Sequence, residues 1–167
     1  MALPNTTPIE RQFEERSVTV SVDQLIGRDF SLGARYRLAR AEAEEFYPEV
    51  RPFDAALLRD GFRAETELRA TLQQLDLHAI YNHPRGFFAS AQALWNHQSN
   101  AGYDPDLAGD EFWHFNVYAG YRFLQRRGEV TVGLLNIADQ DYRLNPLTLY
   151  NELPRERTFY CRLRLRF

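Results

Sequence analysis

The chain ends in TFYCRLRLRF, ten residues that alternate with a period of two. Phe159, Cys161, Leu163, Leu165 and Phe167 fall on one face, and Tyr160, Arg162, Arg164 and Arg166 on the other. That period belongs to a β-strand, whose successive side chains point to opposite sides. A one-residue slip in pairing would exchange the two faces completely. A strand with arginines on one side and apolar groups on the other separates two different media. It fits neither a helix nor a strand buried on both faces.

The same alternation recurs upstream. In FWHFNVYAGYRF (112–123), Trp113, Phe115, Val117, Ala119, Tyr121 and Phe123 share the apolar face, opposite His114, Asn116, Tyr118, Gly120 and Arg122. Phe87, Ala89, Ala91, Ala93 and Trp95 are in phase, as are Phe30, Leu32, Ala34, Tyr36 and Leu38, the latter opposite Arg35 and Arg37. Segments 16–26 and 130–136 carry shorter apolar faces, Val18, Val20 and Val22 in one and Val130, Val132 and Leu134 in the other. Residues 66–81 admit two readings. Leu68, Leu72, Leu75 and Ala79 have helical spacing among good helix formers. As a strand, Leu68, Ala70 and Leu72 alternate, and then the phase moves to Leu75, Leu77, Ala79 and Tyr81, which requires a bulge near Gln73–Gln74. The strand is preferred because both flanking segments are strands of a meander.

Short connections at Gly27–Asp29, Asn82–Gly86 and Gln125–Glu129 alternate with long ones at about 41–65, 97–111 and 138–157. Tight turns at one end and long loops at the other are the rhythm of an outer-membrane barrel. The aromatics agree. Phe87 and Trp95, Trp113 and Tyr121, and Phe159 and Phe167 bracket their apolar faces eight residues apart. Eight residues span about 26 Å of strand, or roughly 20 Å of depth at a tilt of about 40°. The apolar band of such barrels is about 25 Å tall between aromatic girdles. A soluble sandwich or lipocalin-like barrel also alternates, but gives no reason for rings to gather at strand ends. The expectation is therefore an all-β, antiparallel transmembrane meander of about seven strands in a larger barrel. Residues 1–15 form an external loop or N-terminal extension, and 16–167 the C-terminal part of the barrel.

Composition narrows the function. The 167 residues carry 23 acidic and 20 basic groups, a net charge of −3, which excludes a strongly basic nucleic-acid binder. All the basic residues are arginine, so lysine Schiff-base and P-loop chemistry are excluded. Cys161 is the single cysteine, which leaves no internal disulfide and no cysteine-rich zinc site. The start, MALPNTTPIERQF, has neither the basic region nor the apolar core of a signal peptide.

The C-terminal stretch GLLNIADQDYRLNPLTLYNELPRERTFYCRLRLRF resembles the end of TonB-dependent outer-membrane receptors. In that family a Leu-x-Asn-Ile/Leu-x-Asp strand end precedes an Asp-Tyr-Arg-x-x-Pro loop, and a Pro-x-Arg segment leads into the closing strand. The matching positions are Leu134, Asn136, Ile137, Asp139, Asp141, Tyr142, Arg143, Pro146, Pro154, Arg155 and Arg157. The resemblance covers about the last 40 residues. It implies a 22-stranded barrel around an N-terminal plug, energised through TonB, that imports a scarce nutrient such as a ferric siderophore. It also implies that Phe159, Leu163, Leu165 and Phe167 form the signal read by the barrel-assembly machinery. Plug and TonB-binding segment are missing from this sequence, and the seven traced strands would leave unpaired edges in lipid. The chain is accordingly expected to be the C-terminal third of a longer receptor in the bacterial outer membrane. Its partners would be the rest of that receptor, TonB through the plug, and membrane lipid with lipopolysaccharide.

The expected lumen-facing residues are Arg35, Arg37, His114, Asn116, Tyr118, Arg122, Arg162 and Arg164, meeting plug or substrate, with Arg166 at the rim. The expected girdle is Phe87, Trp95, Trp113 and Tyr121. The acidic segment 41–65 and the cluster Asp104, Asp106, Asp110 and Glu111 read as solvated external loops, without EF-hand spacing. The four histidines lack zinc-ligand spacing. No cofactor, metal or catalytic group is expected. Aligning Trp95 with Trp113 sets Ser90 opposite Tyr118 and His114 opposite Leu94, too far apart for a serine–histidine dyad. The other readings are a plug-less porin or adhesin barrel and a soluble β-barrel binding module.

Overall fold

The computed structural model describes residues 8–49, 65–104, 106–125, 127–141 and 156–166. They form a single seven-stranded antiparallel sheet in chain order. The strands are β1 (Glu10–Ile26), β2 (Phe30–Phe46), β3 (Glu65–Asn82), β4 (Phe87–Ala101), β5 (Asp110–Phe123), β6 (Gly128–Leu135) and β7 (Thr158–Leu165). Every strand pairs with its sequence neighbour, and among the described residues β1 and β7 do not pair, so the sheet is open. Short turns lie at one end and the longer connections at the other.

Residues 66–81 are strand, inside β3. The expected bulge is absent. β2 pairs without interruption from Phe30↔Tyr81 to Phe46↔Glu65, and Arg37↔Gln74 and Leu38↔Gln73 are ordinary partners. The change of apolar phase has another cause. Near Gln73 both β2 and β3 run beyond the apolar band toward the loop end. There the outward positions are Arg40, Glu42 and Glu44 on β2 and Glu67, Arg69 and Thr71 on β3. The opposite face turns apolar instead, with Ala39↔Leu72, Ala41↔Ala70 and Ala43↔Leu68. The faces exchange polarity while the backbone keeps its register.

Several strands are longer than their apolar faces. β1 begins at Glu10 rather than at 16, β2 extends to Phe46, and β4 to Ala101. Glu42, Glu44 and Glu45 are therefore strand residues, not loop residues. Glu45 pairs with Arg11 at 2.6 Å and Glu42 with Arg40 at 2.7 Å. Asp54 and Asp60 of the acidic segment lie outside the described residues, as does Phe167.

The apolar face is continuous across all seven strands. Trp95 and Trp113 are direct partners toward the loop end, and Phe87 and Tyr121 toward the turn end. The latter pair of rings lies 4.7 Å apart, and Phe30 and Tyr81 add a second pair at 4.6 Å. This face is uncovered. Val20 is 64 % exposed, Phe87 59 % and Leu163 62 %. Among the described residues the buried apolar side chains are only Ala39, Ala43, Ala70 and Phe112. The sheet is one layer without a core of its own, whereas ordinary domains bury such a face against a second layer.

The apolar band runs obliquely to the hydrogen-bonded rows. Its loop-end limit is Val18 on β1, whose row passes through Leu38, Gln73 and His97 to Glu111 on β5. On β7 the limit is Phe159, whose row passes through Leu134 to Val117 on β5. Glu111 and Val117 are six residues apart, and β1 and β7 are six strand steps apart. The band steps toward the turn end by one residue per strand.

Candidate functional site

The opposite face is polar along the band, and the register sets its residues in rows. Arg35, Asp76, Leu94 and His114 form one row. Gly33, His78, Gln92 and Asn116 form the next, continued on β1 by Asp23. Side chains of these rows join in a chain across the sheet. His78 Nε2 lies 2.8 Å from Asp23 Oδ1, and its Nδ1 faces Asp76 Oδ1 at 3.9 Å. Gln92 Nε2 donates to Asp76 Oδ2 at 3.1 Å, and Asn116 Nδ2 donates to Gln92 Oε1 at 3.1 Å. Asn116 Oδ1 in turn accepts the Asn136 backbone N–H at 3.1 Å. Most of these polar groups are satisfied by side chains of other strands, whereas Asp76 Oδ1 is buried without a hydrogen bond.

Two glycines make such meetings possible. Gly33 sits on β2 between Asp23 and His78, and a Cβ there would overlap both Asp23 Oδ1 and His78 Nε2. Without one, the two side chains reach each other over the intervening strand. Gly133 on β6 does the same for Tyr118 and Tyr160, whose rings meet above it with centroids 5.9 Å apart.

Toward the turn end the face becomes cationic. Arg122 Nε donates to Glu129 Oε2 at 3.2 Å, its NH1 donates to Asn82 Oδ1 at 3.0 Å, and the guanidinium stacks 4.3 Å from the Phe88 ring centre. Arg162 reaches the other Glu129 oxygen at 3.5 Å. Arg37 pairs with Glu15 at 2.7 Å. At the loop end, burial pushes the Tyr103 phenol above its ordinary range.

The eight polar positions expected from the sequence, Arg35, Arg37, His114, Asn116, Tyr118, Arg122, Arg162 and Arg164, all fall on this face by register. They do not converge. They spread from the Arg37 row to the turn end, where Arg122 and Arg162 share Glu129 and Arg122 and Arg164 line one cleft. Ser90 lies opposite Tyr118 and His114 opposite Leu94, the register expected from aligning the tryptophans. Among the described residues no three His, Cys, Asp or Glu side chains are grouped to hold a metal ion. Sequence reasoning missed Asp23, Asp76, His78 and Gln92. For Asp76 and His78 the signal was the even-numbered polar face of β3, hidden by the ambiguity over helix and strand, whereas Asp23 and Gln92 lie on β1 and β4.

The motif residues at the β6 exit form a latch. Asn136 is buried, with a positive φ of 49°. Its Nδ2 donates to Gln140 O at 3.0 Å and its Oδ1 accepts the Gln140 N–H at 3.0 Å. Asp139 Oδ1 accepts the Arg157 N–H at 2.8 Å, tying the start of the long connection to its end. Asp141 is described nearby, whereas Tyr142, Arg143, Pro146, Pro154 and Arg155 lie outside the described residues. The chain matches no family model, no curated protein and no solved structure.

Proposed function

We propose that this sheet is a section of the wall of an outer-membrane β-barrel, at the C-terminal end of a TonB-dependent uptake receptor. The observation that carries the reading is the oblique apolar band. A barrel crosses the membrane with strands tilted by about 35–45°. To keep its apolar residues at one depth, each strand must step along its neighbour. A step of one residue, about 3.3 Å, across a strand spacing of about 4.8 Å corresponds to a tilt of about 35°. Two features add support. The apolar face is too large to be left in water, and the latch of Asn136 and Asp139 gives a structural role to motif residues that carry the family resemblance.

In this reading the role is transport, without a chemical step on a substrate. Polar-face residues line the path and seat a plug, the external loops meet a ligand such as a ferric siderophore, and TonB acts through the plug. Lipid and lipopolysaccharide cover the apolar face, and the barrel-assembly machinery reads the end of β7.

The open edges of β1 and β7 define the test. An edge in lipid has unsatisfied backbone groups, so the wall must be completed by other strands. The chain alone, refolded in detergent, is expected to show no heat-dependent gel shift of a closed barrel and to stay sensitive to proteinase K. A protease-resistant monomer with a gel shift overturns the reading. A plug-less porin or adhesin wall is separated by the reading frame upstream of the Met1 codon. A receptor requires a plug domain there.

A further inference from the structure

We propose that the cleft between the β5–β6 turn and the end of β7 binds a phosphate group. Its lining is Arg122, Arg127, Glu129, Arg164 and Arg166, and its volume is about 180 Å³. That is well above the roughly 10–15 Å³ one water needs on this measure, and it admits a phosphate with its first waters. Four arginines and one glutamate line it, and the glutamate carboxylate is already engaged by Arg122 and Arg162. Among the described residues no carboxylate lies within ion-pair distance of Arg127, Arg164 or Arg166, although Glu129 is Arg164's partner across the strands. This contrasts with Arg11, Arg16, Arg37, Arg40 and Arg69 nearer the loop end, each paired with a glutamate.

The cleft is held in shape by the fold. The Arg166 N–H donates to Arg127 O at 2.9 Å, which joins the turn to the end of β7. Arg122 is fixed on three sides, by Glu129, Asn82 and the Phe88 ring. Like charges gathered in this way repel until an anion enters. One carboxylate brings a single charge and two oxygens. A phosphate brings up to two charges and more acceptor oxygens, arranged for the planar forks of several guanidiniums. The phosphate could belong to a solute or to a phospholipid headgroup at the adjoining edge of the apolar band, and the experiment separates the two.

The full chain, refolded in a zwitterionic detergent, is titrated with inorganic phosphate and, separately, with chloride, with binding read by calorimetry. Saturable phosphate binding is expected, weakened at least tenfold in the double variant Arg164→Gln/Arg166→Gln and unchanged in Arg40→Gln, on the outward side of β2 near the loop end. Arg127→Gln, in an exposed turn, serves as a second variant should the double variant misfold, and it too should bind more weakly. Displacement of phosphate by phosphatidylglycerol vesicles but not by phosphatidylcholine vesicles assigns the headgroup. Retention of phosphate against both assigns a solute. Phosphate binding no tighter than chloride, or equal in the parent, Arg127→Gln and double-variant proteins, overturns the proposal.

Discussion

Ala91→Arg is expected to destabilise the sheet in detergent micelles by about 2 kcal/mol, and Ser90→Arg by less than about 1. The two positions are adjacent on β4 and point to opposite faces. Ala91 lies in the middle of the apolar band, opposite Ala79 and Val117. An arginine in the lipid-facing band of a barrel costs about 2–4 kcal/mol at mid-depth, and a micelle exacts the lower part of that range. Ser90 faces the polar side, beside Tyr118, where a guanidinium keeps its water. In a sheet whose apolar face met water, Ala91 would be an ordinary exposed residue, and its replacement would stay within about 0.5 kcal/mol. Urea unfolding followed by the fluorescence of Trp95 and Trp113 reads the difference. Equal midpoints for the two variants would remove the distinction between the faces.

Asn136→Ala is the second large effect, with an expected cost of about 2–3 kcal/mol. The substitution removes both side-chain hydrogen bonds to Gln140 and leaves the Gln140 N–H without its partner. It also sets a Cβ residue without a helpful polar side chain at a φ of 49°, a conformation that costs roughly 1 kcal/mol or more. Asn136→Gly relieves the backbone part and is expected to recover about 1 kcal/mol of the loss. If alanine and glycine cost the same, backbone strain plays no part. If neither costs anything, Asn136 is not a latch.

The strand identities and one whole register could be read from residue order. Trp95 and Trp113 are large rings at corresponding ends of two apolar faces, and matching them set Ser90 opposite Tyr118, as the sheet has it. The phase of β3 could not be read in the same way. A bulge was expected because the apolar face was assumed to stay on one side of the strand. That holds only while the strand passes through one environment. Beyond Gln73 the charged residues Glu67 and Arg69 take the outward side and Leu68, Ala70 and Leu72 turn inward, so the environment changed and the backbone did not. The chain from Asp23 to Asn136 was hidden for a different reason. It joins β1, β3, β4 and β5 and depends on Gly33 having no side chain, a relation between strands that no single alternating segment reveals. The oblique step of the band likewise exists only once six registers are known.

The claim on which the account rests is that the apolar face of this sheet meets hydrocarbon while the opposite face meets water. Cys161 reports on it directly, as an exposed thiol on that face between Phe159 and Leu163 and opposite Val132. The measurement is the collision rate of a nitroxide spin label with oxygen and with a water-soluble nickel complex, in micelles that cover an apolar face whether or not the edges of the sheet are paired. A label on Cys161 should collide far more with oxygen, and a label on Arg162→Cys in a Cys161→Ala background far more with nickel. A Cys161 label as open to nickel as the Arg162→Cys label, together with rapid reaction of the free thiol with a hydrophilic maleimide, would contradict the account.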